Sequence, residues 1–141
     1  MDMQTTGAGR PPHPTLAELQ GMPAELGDAI AALAEAELAA GRVEIARTIL
    51  EGLVVTNHQD ADAWALLSTA HRRLGQPLAA RFCAEVAVKL APADPWVRLA
   101  MAESRLAQGG EGTVARAELA ALAGEPGPGE RARSLLAALG Q

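Results

Sequence analysis

The sequence predicts an all-α fold: a solenoid of three helix-turn-helix units, preceded by a short N-terminal helix and closed by a C-terminal capping helix. Three observations carry that expectation. Small and apolar residues recur every 34 positions, at Gly41, Gly75 and Gly109, at Leu33, Leu67 and Met101, and at Ala46 and Ala80 followed by Val114 with Ala115 beside it. Between these breaks the apolar residues keep helical spacing. The chain of 141 residues is 49% hydrophobic yet has no Tyr, one Phe and two Trp, so its core must come from close packing of Ala-rich helices rather than large rings. Three stacked units meet the minimum for a continuous core, and the length suits one domain.

Residues 1–14 mix Gly, Thr and Pro without an apolar period and predict a disordered leader. Thr15 and Glu18 have capping-box spacing, predicting a short helix that ends near Gly21. Pro23 suits the first turn of a helix reaching about Ala40, with Ile30, Leu33 and Leu38, and Gly41 closes it. The helix from Val43 to Thr56 carries Ile45, Ile49, Leu50 and Leu53, a stripe expected to be buried. Ala61 to Leu74 bears Trp64, Leu67 and His71, and Pro77 to Leu90 bears Ala80, Ala84, Ala87 and Leu90. Trp64 is expected to pack against its own second helix and the preceding unit. Asp94 caps a helix from Pro95 to about Ala107, and Gly109, Gly110 and Gly112 loosen the next turn. One residue of slack is therefore expected in the following helix, Thr113 to Ala123. Gly124 to Gly129 alternates Gly and Pro with acids and reads as a connector; Glu130 to Leu139 places Leu135, Leu136 and Leu139 together as a cap. The units are 27–60, 61–94 and 95–128, with the cap at 129–141, in one domain of 15–141.

Composition excludes several functions. A net charge of −5 without a basic run supplies no electrostatic footprint for nucleic acid. No apolar stretch nears the ~20 residues needed to span a bilayer, and no basic segment precedes an apolar run, so neither insertion nor export is indicated. The single Cys83 cannot form an internal disulfide, which fits a cytoplasmic setting. His13, His58 and His71 make no metal-ligand pair on one helix face, and Cys83 has no second Cys near it. Glu35 and Glu37 stand two apart on a helix and point in different directions. The turn at Gly109 to Gly112 lacks the Lys and Ser or Thr of a phosphate loop. No cofactor, metal or catalytic residue is expected, and the chain reads as non-enzymatic.

The stretch Ala61 to Asp94, with Trp64, Leu67, His71, Gly75, Ala80, Ala87 and Pro92 at their offsets, resembles the tetratricopeptide repeat (TPR) family. Ser68 stands where a small Gly is usual, and Ala84 where an aromatic is. The resemblance implies a concave surface, built by the first helix of each unit, that binds an extended peptide. In the first unit it selects Asp28, Ala31, Glu35, Leu38 and Ala39. In the second it selects Asp62, Ala65, Thr69, Arg72 and Arg73, and in the third Trp96, Leu99, Glu103, Leu106 and Ala107. Leu38, Trp96, Leu99 and Leu106 would together form an apolar strip. Members that grip a terminal carboxylate do so with Lys, Asn and Arg; here those offsets hold Ala31, Glu35, Leu66, Trp96 and Ala100, so an apolar ligand is expected instead.

Within the third unit, Ala102-Glu103-Ser104-Arg105-Leu106, preceded by Asp94-Pro95 and followed by Gln108-Gly109-Gly110, resembles the small translocator chaperones of bacterial type III secretion. The resemblance implies a cytoplasmic secretion chaperone that holds an apolar segment of a secreted or membrane-active protein, as a homodimer or a heterocomplex. The alternative is a TPR scaffold or adaptor subunit of a larger bacterial assembly.

Overall fold

A computed structural model describes residues 14–140. The expected leader lies outside the described residues except for Pro14, which is exposed and non-helical. Among these residues eight helices follow one another: α1 (Leu16–Gln20), α2 (Ala24–Ala39), α3 (Val43–Thr56), α4 (Ala61–Arg73), α5 (Pro77–Leu90), α6 (Pro95–Gln108), α7 (Gly112–Leu122) and α8 (Pro128–Leu139). Among the described residues there is no strand. The pairs α2–α3, α4–α5 and α6–α7 are TPR-like helix-turn-helix units, and α1 and α8 flank them.

Local chemistry sets the helix ends. Thr15 and Glu18 form the reciprocal capping box: the Thr15 hydroxyl accepts from the Glu18 amide at 3.1 Å and the Glu18 carboxylate accepts from the Thr15 amide at 2.8 Å. The carboxylates of Asp60 and Asp94 accept from the amides of Ala63 and Trp96 at 3.0 and 2.9 Å, satisfying donors that no helix turn can reach. Gly41 and Gly75 turn the chain between paired helices with φ of 83° and 75°, a conformation that a side chain would strain.

Two packing relations build the stack. Within a unit, the helices cross at small residues: Ala46, Ala80 and Ala115 are fully enclosed, and the hydroxyl of buried Ser68 donates to the Ala80 carbonyl at 2.7 Å. Ser68 thus fills the usual glycine position and satisfies its own polar group. Between units, Ala63, Leu67 and Ala70 of α4 are buried, as are Val97, Met101 and Ser104 of α6; each set occupies the helix face turned to the preceding unit. In the third unit the enclosed residues of α7 are Ala115, Leu119 and Leu122, one position beyond the spacing set by Ala80, Ala84 and Ala87. The extra residue is absorbed by Gly109 and Gly110, both at φ 83°.

Two expectations are corrected, at Ile45 and at the start of the C-terminal helix. Ile45 is 49% exposed rather than buried, because Ala46, Leu50, Leu53 and Val54 form the inward stripe of α3. Leu33 is 55% exposed, because α2 has no preceding unit to cover the face that Leu67 and Met101 bury. The C-terminal helix begins at Pro128, inside the segment expected to be a connector. Gly127 at φ 89° turns the chain and Pro128 supplies the first helical residue. A Cβ at Gly129 would lie 2.8 Å from the Ala123 carbonyl, so this start requires glycine.

Trp64 spans two parts of the core, meeting the cluster that holds Leu50 and Leu53 and the one that holds Ala87 and Val97. Its indole N–H donates to the His58 carbonyl at 2.9 Å, and Phe82 stands edge-on to it at 6.1 Å. Trp64→Ala is expected to destabilise the fold by about 2–3 kcal/mol, below the ~3–5 of a fully enclosed aromatic because Trp64 is half-buried. Urea denaturation measures this, and an unchanged midpoint would refute the packing described.

Across the third turn, Glu111 accepts from Arg81 and Arg105, each at 2.8 Å, joining α5 to α6 and α7. Its hydrogen bonds with Arg81 and then Arg105 hold its carboxyl below the usual glutamate range. A depressed carboxyl contributes stability at neutral pH and loses it as protons bind. Glu111→Gln should therefore lower the melting temperature at neutral pH, with the gap to wild type closing in acid, below the ordinary glutamate value of about 4.3. Calorimetry across pH reads that convergence.

Candidate functional site: a concave groove

The first helices stand side by side, so equivalent positions line up across the stack and enclose an open concave cavity of about 860 Å³. Ala31, Ala65 and Leu99 form one row of its floor; Glu35, Thr69 and Glu103 form a second. Asp28, Asp62 and Trp96 form the row nearest the helix N-termini. Small side chains on the floor leave room for a ligand, and the polar groups stand around them.

Charge is divided across the groove. On one side Asp28, Asp60 and Asp62 come together, and burial, followed by the neighbouring carboxylates of Asp94 and Asp60, raises the Asp62 carboxyl above its usual range. On the other side lie Arg72, Arg73 and Arg131. The Glu103 carboxylate joins two of these, at 3.2 Å from the Arg72 guanidinium and 2.9 Å from that of Arg131. Arg73 donates to the Leu38 carbonyl at 3.0 Å, helping to close the end of α2.

Eleven of the expected groove residues line this cavity: Asp28, Ala31, Glu35, Asp62, Ala65, Thr69, Arg72, Arg73, Trp96, Leu99 and Glu103. Leu38 and Leu106 do not. Leu38 is 5% exposed and belongs to the core with Leu50 and Leu53. Leu106 is covered by α8 and packs with Leu135, Leu136 and Leu139. Ala39 and Ala107 also lie outside the lining. The expected apolar strip is therefore interrupted: Leu99 is a buried floor residue, and only Trp96, 54% exposed, projects as a large apolar group. The indole of Trp96 lies against Gly127, where a Cβ would be 2.9 Å from the ring, so the turn into α8 is shaped around it.

Arg131 was not among the expected site residues. It reaches the groove from α8, whose placement depends on the turn at Gly127 and Pro128; no repeat offset marks it. The positions where a carboxylate grip would need cations, Ala31, Glu35, Leu66, Trp96 and Ala100, all line the cavity and carry no positive charge.

Chemistry elsewhere is sparse. His71 pairs through Nδ1 with Gln76 Oε1 at 2.7 Å, tying α4 to the turn that follows. Cys83 is 3% exposed, and burial, with Glu51 second, pushes its thiol up to about 11, leaving it a protonated core residue. Among the described residues no group of His, Cys, Asp or Glu is placed to hold a metal ion. No helix among them is long and apolar enough to cross a membrane.

This fold and cavity define a TPR-like solenoid with a peptide-sized groove. A tetratricopeptide-repeat family model matches residues 61–104. No curated protein matches the sequence at a significant level. Among solved structures, the chain is similar to the type III secretion translocator chaperone SycD of Yersinia enterocolitica, with 22% identity, a TM-score of 0.73 and coverage of 89% of this chain and 98% of that one. PcrH of Pseudomonas aeruginosa is similar at 23% identity and TM-score 0.68, covering 89% and 99% of the two chains. SycD in complex with a peptide of the translocator YopD is similar at 24% identity and TM-score 0.63, covering 79% and 89%. The chain thus adopts the fold of these chaperones over nearly its whole described length.

Glu103→Gln should weaken the docking of α8 by removing the carboxylate that Arg72 and Arg131 share. The expected loss is about 1 kcal/mol, since Arg131 is half-exposed and water screens part of the interaction. Hydrogen exchange should accelerate in α8 before the rest of the stack, and uniform exchange would argue against a local latch.

Proposed function

We propose that this protein is a non-enzymatic binding module that holds an apolar segment of a partner protein in its concave groove, as a secretion chaperone in the cytoplasm. The partner is a secreted or membrane-active protein whose exposed apolar surface needs cover before delivery. The single observation that carries this reading is the cavity itself, lined at matching positions of the first helices of three successive units by Ala31, Ala65 and Leu99. Chaperones of the same fold, one of them solved with a translocator peptide bound, support it. The unpaired, protonated Cys83 accords with a reducing compartment. In this reading the working domain is residues 15–141, with repeats at 27–60, 61–94 and 95–128.

The groove favours a mixed ligand. Ala31, Ala65, Leu99 and Trp96 provide apolar contact, while the acids on one side and the arginines on the other orient the chain running between them. Ala31, Glu35, Ala65, Thr69, Arg72, Trp96, Leu99 and Glu103 are the binding residues in this reading.

Substitutions at Leu99 cannot separate binding from folding, because that residue is also core. Ala31 and Thr69 are half-buried groove residues, Ala31 packed at the edge of the core, so helicity and melting are read before binding. Ala31→Glu with Thr69→Glu should keep native helicity and cooperative melting yet lose the partner, because an apolar segment would have to desolvate two unpaired carboxylates at about 1–3 kcal/mol each. Co-purification from the native host, with and without secretion, is the measurement. A partner released on secretion supports the chaperone; one retained in an assembled complex supports a scaffold instead. Unchanged retention by the folded double variant would end the groove reading.

A further inference from the structure

The two ends of the solenoid are finished differently. At the C-terminal end, α8 packs on α7 and α6 and covers Leu106, Leu119 and Leu122. At the N-terminal end, α1 has only five residues and packs on α3, not on α2. The face of α2 that corresponds to the unit-to-unit contact in α4 and α6 therefore has no covering helix among the described residues. Its Leu33 and Ala29 are exposed where Leu67 and Ala63 are 3% and 0% exposed. Its Ala36 is exposed where Ala70 is enclosed. Leu26, 47% exposed, stands where α4 and α6 have their capping Asp60 and Asp94, extending the apolar line. Leu26, Ala29, Leu33 and Ala36 follow one another at intervals of three, four and three residues, a straight stripe about 15 Å long on one side of the helix.

We infer that this stripe is a docking surface for a basic amphipathic helix of a partner protein, on a face of α2 adjacent to the groove. The shape follows from the fold: α4 and α6 each bury this same face under a second helix, so a helix is the element it accommodates. The charge selects the partner. Residues 14–41 carry five acids, Glu18, Glu25, Asp28, Glu35 and Glu37, and neither Lys nor Arg; Arg42 pairs with Glu37, which leaves an excess of four negative charges. Two copies meeting through this face would bring acidic helices together, which like-charge repulsion disfavours, whereas flanking Lys or Arg on a partner helix would be attracted. Residues 1–13 offer only Met1, Met3 and Ala8 as apolar groups, among Gly7, Gly9, Pro11 and Pro12, so they lack the apolar residues to fill the stripe. This inference does not depend on what occupies the groove.

The test titrates the full-length protein with a labelled designed peptide of about 18 residues, about five helical turns, with Leu and Ala on one face and Lys along its flanks. A twin peptide carries Glu in place of Lys. The Lys peptide should bind and the Glu peptide should not. Leu26→Gln with Leu33→Gln, both at exposed sites where thermal melting confirms an intact fold, should weaken binding at least about tenfold, or about 1.4 kcal/mol. Glu25→Lys should weaken it as well, while the groove variant Ala31→Glu/Thr69→Glu should not. Binding that ignores Leu26 and Leu33, or equal binding of the two peptides, overturns the proposal. So does a dimer seen by sedimentation that Leu26→Gln/Leu33→Gln dissolves, which would make a second copy the occupant. Tighter peptide binding after removal of residues 1–13 would assign the face to the leader and overturn it too.

Discussion

The whole molecule depends on how closely its paired helices can cross. Ala46, Ala80 and Ala115 have no exposed surface, and at the middle crossing the Ser68 hydroxyl reaches the Ala80 carbonyl across the interface. A larger side chain at any of these points would push the second helix away from the first, and dense packing leaves no slack to absorb it. The first helices stand in register because each pair is this compact. Their registered rows, Ala31 with Ala65 and Leu99, then Glu35 with Thr69 and Glu103, are what make the inner surface a groove.

Because each unit touches only its neighbours, local variation is absorbed locally. The extra residue in the third turn moves the buried set of α7 by one position without disturbing α4 or α5. The Arg81–Glu111–Arg105 bridges then hold the glycine turn in place. At the far end, Trp96 connects two roles: it projects into the groove, and its ring shapes the turn at Gly127 that sends α8 back over α6. Arg131 enters the groove through that turn, so the charge of the candidate site depends partly on a helix outside the repeats.

Most helix boundaries were legible because they are set by short-range chemistry. The Thr15–Glu18 box, the cap at Asp94, and Gly41 and Gly75 each act within a few residues, and each stands where the sequence places it. Pro128 was misread for the same kind of reason: proline and glycine near a connector signal a loop as readily as a helix start, and only the room beside Ala123 decides. In the groove, residues fixed by repeat offset were found, but Leu38 and Leu106 were not distinguishable from groove residues. On an isolated helix the boundary between an inner face and a concave face is a rotation of some tens of degrees.

The sequence by itself determined the helical class, the 34-residue register and the turn positions, since all of these follow from residue type and spacing along the chain. Tertiary structure alone decided which apolar residues are covered. Leu33, Leu67 and Met101 share one repeat position and comparable chemistry, yet Leu33 is 55% exposed while the other two are buried. The physical reason is that burial of a repeat's outer face is a property of its neighbour. Whether a neighbour is present, as α3 is for α4 and α8 is for α7, depends on the position of the unit in the stack rather than on its own residues.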